Sequence, residues 1–70
     1  MSGWQLILSK REIEVLSWIK EGKTSWEIAR ILLISERTVN FHVRNVIKKL
    51  DAKNRTHALA IAVAERLIDI

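Results

Sequence analysis

Cysteine and proline are absent from this 70-residue chain, and glycine occurs only at Gly3 and Gly22. Without cysteine there is no disulfide and no thiolate metal site. His42 and His57 stand apart from any carboxylate cluster in the sequence, so no zinc site, other metal or cofactor is expected. No apolar run reaches membrane-spanning length, so no membrane partner is expected. No charged-then-apolar leader with a small-residue cleavage site is present. These absences fit a cytoplasmic setting. No nucleophile lies at a workable spacing from a base and an orienting acid, so an enzyme is not expected. With so little glycine and no proline, element boundaries must be read from capping residues.

The length suits one small domain whose core is marginal, so packing must be efficient or a partner must help. Twelve Lys and Arg against eight Asp and Glu leave a formal charge of +4. That excess suits a polyanionic partner. A soluble domain that happens to be basic would show the same total. The distribution separates the two, because the excess lies within residues 36–54.

Ser9 followed by Glu12 has capping-box spacing. It opens a first helix expected over residues 10–21, with Gly22 as its stop. Val15, Leu16, Trp18 and Ile19 should face inward. Thr24 and Glu27 repeat the box and open a second helix over residues 25–32, with Ile28, Ala29, Ile31 and Leu32 as its apolar side. Ser35 caps a third helix over residues 36–50, with Glu36 placed early where an acid suits the helix dipole. Asp51 to Asn54 is a polar connector. Asn54 caps a fourth helix over residues 55–67. Asn54-Arg55-Thr56 also matches the glycosylation pattern, by chance in a chain without a secretion leader. The expected class is all-α: a four-helix bundle with a central helix-turn-helix over Thr24 to Leu50. Residues 1–7 form an extension ahead of a domain at 8–70. Trp4, Leu6 and Ile7 either fold back on the core, or Met-Ser-Gly is the start of a cut chain.

At about 100° per residue, the third helix gathers Val39, Val43, Val46, Ile47 and Leu50 on one side. Arg37, Asn40, Phe41, Arg44 and Lys48 gather on the other. Those groups suit a major groove, where Arg pairs with guanine O6 and N7 and Asn with adenine N6 and N7. Phe41 could touch a thymine methyl. An ordinary solvated face accounts for Arg37 and Lys48, but less well for Phe41 and Asn40 in mid-helix. Thr24 and Ser25 at one helix start, and Ser35, Arg37 and Thr38 at the next, form phosphate sites with the free backbone N–H groups. Such contacts set register without reading sequence. Capping is an equal role for Thr24 and Ser35, and the two roles can coexist. His42 should pack or meet phosphate, and His57 should lie near the surface.

Several segments together resemble the LuxR-type helix-turn-helix family in its quorum-sensing branch. They are Leu8-Ser9-Lys10-Arg11-Glu12, Gly22 through Ala29, Ile34 through His42, Lys48-Lys49-Leu50 and Asn54-Arg55-Thr56. The Lys-Thr-Ser-Trp-Glu-Ile and Asn-Phe-His segments point to autoinducer receptors over response-regulator output domains. The resemblance implies a four-helix DNA-binding domain whose third helix enters the major groove and whose fourth mediates dimer contacts. It puts base reading on Asn40 and Arg44 with Phe41 adjacent, and phosphate contacts on Thr24, Ser25, Trp26, Arg37, Thr38 and Lys48. It implies double-stranded DNA as partner, a nucleoid location, RNA polymerase as a further partner, and an autoinducer only through a separate upstream domain. Two residues depart from the family pattern. Leu33 stands in the turn where Gly or Asn is common. A left-handed backbone would strain leucine by about 1–2 kcal/mol, so the turn is expected to avoid it. Arg66 stands where the family commonly has Gly, so the fourth helix is expected to run on.

On the fourth helix, Ala58, Leu59, Ala62 and Val63 should meet the core. Ala60, Ile61, Ala64 and Ile68 lie opposite and suit a two-fold dimer seam, weak without DNA. Alanines that are merely good surface helix formers would look similar, but Ile61 and Ile68 would not. A dimer would place two third helices on half-sites about one DNA turn apart, on a near-palindromic site. Two other functions compete. One is a promoter-reading segment like the fourth region of a sigma factor, which lacks the Trp-Glu-Ile and Asn-Phe-His details. The other is a helical protein-interaction module using Ile61 and Trp4.

Overall fold

Local capping and a heptad-like apolar stripe build each element. The computed structural model describes residues 8–68, so the extension at residues 1–7, with Trp4, Leu6 and Ile7, lies outside the described residues. It contains four helices: α1 (Lys10–Lys20), α2 (Ser25–Leu32), α3 (Glu36–Lys49) and α4 (Arg55–Ala64). Each starts at a polar cap. Ser9 Oγ accepts from the Glu12 N–H at 3.1 Å while the Ser9 N–H donates to Glu12 Oε1 at 2.8 Å. Thr24 and Glu27 form the same reciprocal pair at 3.2 and 2.9 Å. Ser35 accepts from the Thr38 N–H, and Asn54 from the His57 N–H. Each cap occupies one of the donors that a helix start leaves unsatisfied, and is worth about 1 kcal/mol.

The helix ends follow one rule that glycine scarcity makes unusual. Gly22, Leu33, Asp51 and Arg66 all adopt positive φ, at 85°, 58°, 54° and 57°. After α1, α3 and α4 the left-handed residue closes a Schellman motif. The Lys23, Ala52 and Leu67 N–H groups reach back to the Trp18, Ile47 and Ala62 carbonyls at 3.1, 2.9 and 2.8 Å. After α2, the Leu33 and Ile34 N–H groups both meet the Ala29 carbonyl. Two expectations are corrected here. The turn at Leu33 does adopt the left-handed conformation. Arg66 does not let α4 run on to residue 67. It takes the backbone role a glycine would fill, and the helix stops at Ala64. The free carbonyls at the helix end gain partners only through that turn, which outweighs the local strain.

The early stop redirects the chain. Leu67 and Ile68 fold back into a core with Leu8, Leu16, Val46, Leu50, Ala58 and Ala62. Ile68 is only 5% exposed, so its expected place on a dimer seam is corrected: it is a core residue. A second cluster joins Val15, Ile28, Ala29, Val39 and Val43. The stripe Val39, Val43, Val46 and Leu50 makes α3 the common wall of both clusters, with Ile47 packed against each. Burying a side chain of this size contributes about 1.5–3 kcal/mol, so α3 is held rigidly by its inner face. Ile31, expected on the apolar side of α2, is instead exposed.

Candidate nucleic-acid interface

The outer face of α3 is set by what its inner face buries. With Val39, Val43 and Val46 buried, Arg37, Phe41, Arg44 and Lys48 are left exposed. Phe41 is 52% exposed, an apolar ring that the fold does not bury. Its ring meets the edge of His42, with ring centroids 5.8 Å apart. None of Arg37, Arg44 and Lys48 forms an ion pair among the described residues. Among the described residues, no carboxylate lies within ion-pair distance of their charges.

The start of α2 lies beside the middle of α3. Ser25 Oγ donates to Asn40 Oδ1 at 2.8 Å, bridging fifteen positions of sequence. Thr24 and Trp26 flank that junction and are exposed. The Arg30 guanidinium lies over the Trp26 ring, 5.0 Å from its centroid, a cation–π contact that holds the ring against α2. At the start of α3, the Ser35 and Thr38 hydroxyls are 2.8 Å apart and Ser35 is occupied as the cap. Thr24 is likewise occupied as a cap. Hydrogen bonds from the Thr24 backbone and side chain hold the Glu27 carboxyl below its ordinary range. Each of the two helix starts that could face phosphate therefore carries an acid in its first turn, Glu27 on α2 and Glu36 on α3.

Ser25 departs most from its expected place among outward phosphate contacts. It is a buried residue, 9% exposed, and its hydroxyl also accepts from Arg55 Nη1 at 3.0 Å. Asn40 is half-buried beside it. Arg55 had no assigned role beyond its position in the first turn of α4. A contact spanning thirty positions leaves no local signal.

A second unexpected pairing anchors α3 from the other side. Glu12 is 3% exposed, and Lys49 Nζ donates to both of its carboxylate oxygens at 2.9 and 3.0 Å. Burial raises the Glu12 pKa, but the Ser9 N–H, Lys49 and the nearby His42 together bring it below its ordinary value. His42 is half-buried, and its Nδ1 has no hydrogen-bond partner among the described residues. On α4, Ala60 and Ala64 are exposed, while Ile61 is half-buried and packs on the core. Of the four residues expected on the outer side of α4, Ala60, Ile61 and Ala64 therefore keep some exposure. No group of three metal-binding side chains occurs among the described residues.

Comparison with known proteins gives this arrangement a context. The chain is 58% identical over 62 residues to the transcriptional activator protein SolR of Ralstonia solanacearum, covering 89% of this chain and 26% of that protein. It is 59% identical over 61 residues to the quorum-sensing regulator RhlR of Pseudomonas aeruginosa, covering 87% of this chain and 25% of that one. The crystal structure of Escherichia coli SdiA superposes with a TM-score of 0.83 at 56% identity, over 89% of this chain and 26% of SdiA. This chain thus spans about a quarter of the length of these relatives. Residues 6–62, which contain α1 to α3 and most of α4, match the bacterial regulatory proteins of the luxR family, and the chain belongs to that family.

Proposed function

We propose that this domain binds double-stranded DNA with α3 in the major groove and regulates transcription. One observation carries the reading: Arg37, Arg44 and Lys48 line one face of α3 without ion pairs among the described residues, beside an exposed Phe41. A soluble domain gains nothing from exposing that ring, whereas a groove wall of bases and methyl groups offers it contact. Asn40, Phe41 and Arg44 read bases. Thr24, Trp26, Ser35, Arg37, Thr38 and Lys48 meet phosphate, with Thr24 and Ser35 doing so while they cap. The family membership and the regulators among the relatives support this assignment.

A weak homodimer through Ala60, Ile61 and Ala64 would set two α3 helices on a near-palindromic site. RNA polymerase is a further partner if the domain serves an activator. SdiA has been crystallised in complex with octanoyl-rac-glycerol. Four short helices leave no room for such a ligand here. An autoinducer would act only through a separate upstream domain, where one exists.

Salt tests the reading. Binding to duplex DNA, followed by fluorescence anisotropy, should weaken steeply with ionic strength, by about 0.9 in log–log slope per neutralised phosphate. Lys48→Ala should weaken all sequences alike and reduce the slope by about 1. Arg44→Ala should lose about 1–3 kcal/mol at one base pair and relax preference there. If both variants shift specific and random DNA equally, Arg44 does not read a base. Salt-insensitive binding would favour the protein-interaction alternative.

A further inference from the structure

Three side chains from three helices form a directed chain at the base of the proposed reading face. Arg55 at the start of α4 donates to Ser25 Oγ at 3.0 Å, and Ser25 Oγ donates to Asn40 Oδ1 at 2.8 Å. The direction follows from the chemistry of the first member. A guanidinium has five N–H donors and no acceptor, so Ser25 must accept from it. The Ser25 hydrogen then needs an acceptor of its own. Ser25 is 9% exposed, and Asn40 Oδ1 is the acceptor within reach. If the Asn40 amide were flipped, Ser25 would accept from both sides and its own hydrogen would be left unpaired. An unmade buried hydrogen bond disfavours that orientation by roughly tenfold or more. The Asn40 NH2 group makes no hydrogen bond to the protein among the described residues.

We propose that Arg55 is a positioning residue which, through Ser25, sets the Asn40 amide so that Asn40 meets a base as a hydrogen-bond donor. The inference rests on the reading of α3 as the groove-entering helix. The usual asparagine pairing with adenine needs both amide atoms along the base edge, the oxygen accepting from N6 and the nitrogen donating to N7. Here the oxygen is turned into the protein. A lone NH2 donor suits guanine, whose N7 and O6 both accept. It suits adenine less, because the N6 amino group beside N7 is itself a donor. Asn40 in this setting selects guanine over adenine at its position. Arg55 never touches DNA to do so.

The test uses the full chain. Selection from random duplexes defines the site, and the base pair whose preference vanishes in Asn40→Ala is the one Asn40 reads. The guanine-to-adenine affinity ratio at that pair is then measured for the wild type, Ser25→Ala, Arg55→Met and Arg55→Lys. The wild type should favour guanine. Ser25→Ala and Arg55→Met should move the ratio toward adenine by about tenfold, and Arg55→Lys should stay within about twofold of the wild type. Arg55 lies beside Val15, Leu16, Val43 and Val46, and methionine keeps its apolar stem. Ser25→Ala breaks the chain without touching that contact, and its thermal melt reports folding separately. An adenine-preferring wild type, or an unchanged ratio in both Ser25→Ala and Arg55→Met, overturns the proposal while the groove reading stands. So does an Arg55→Met variant that weakens every sequence equally with a shallower salt slope, because Arg55 is then a phosphate contact. If the wild type enriches no site at all, the groove reading falls and this proposal falls with it.

Discussion

Leu33 shows how a single residue can be held against its own preference. Its φ of 58° is a conformation that costs an L-residue about 1–2 kcal/mol. Its side chain is 90% exposed and so contributes almost no packing. The left-handed turn persists because it brings the Leu33 and Ile34 N–H groups to the Ala29 carbonyl and sets the entry into α3. Leu33→Gly should therefore stabilise the domain by about 1 kcal/mol, with part of the relieved strain offset by added freedom in the unfolded chain. A urea denaturation midpoint that rises at constant slope is the expected outcome, and an unchanged or lower midpoint contradicts it. Ser9, Thr24, Ser35 and Asn54 were legible as caps because a cap acts within three residues. Leu33 and Arg66 were not legible as turn residues. Their side chains disfavour the conformation, and only the hydrogen bonds of the assembled turn impose it.

At the scale of elements, α2 is bounded as its capping and apolar pattern predict. α1 and α3 each end one residue short of expectation, where Glu21 and Leu50 become the caps before left-handed residues. The larger difference is in α4. Its stop at Ala64 turns Ile68 into the core and leaves a smaller exposed strip. Periodicity assumes that a helix continues, so it put Ile68 on the wrong side of an axis that had already ended. The remaining strip makes a sharper test of the proposed dimer. Ala64 is exposed, so Ala64→Glu should leave the melting temperature unchanged and weaken cooperative binding to a two-half-site duplex. Ile61→Glu should weaken that binding as well but lose about 1 kcal/mol of stability, because Ile61 also packs on the core. Binding stoichiometry measured by titration is the readout. An unchanged stoichiometry in both variants removes α4 as the seam.

Across the whole molecule, two long-range polar links brace α3. Lys49 ties its end to Glu12 on α1, and Asn40 ties its middle through Ser25 to Arg55 on α4. The first link gives the fold an acid dependence. The Glu12 carboxyl is lowered in the folded state, as burial is outweighed by the Ser9 N–H, Lys49 and His42. A lowered folded value means that the stabilisation is fully present above the ordinary carboxylate value. It is lost as pH falls through the lower folded value. The melting temperature should fall as pH drops through and below the ordinary carboxylate range. Glu12→Gln should lose about 1–2 kcal/mol at neutral pH and show a flatter acid profile. An equally steep profile in Glu12→Gln would assign the acid dependence to other carboxylates.

Local sequence determined the four helices, their polar starts and the two faces of α3, because caps and the 3.6-residue period act over a few neighbouring residues. The exposed cations and Phe41 on α3 were readable for the same reason. Tertiary structure alone decided that Ser25 turns inward, that Arg55 reaches it from thirty positions away, and that Lys49 meets Glu12. It also decided that Arg66 bends the chain so that Ile68 enters the core. These outcomes depend on which helices pack side by side. A buried hydroxyl, carboxylate or helix end must find a partner among whatever groups the packing brings near.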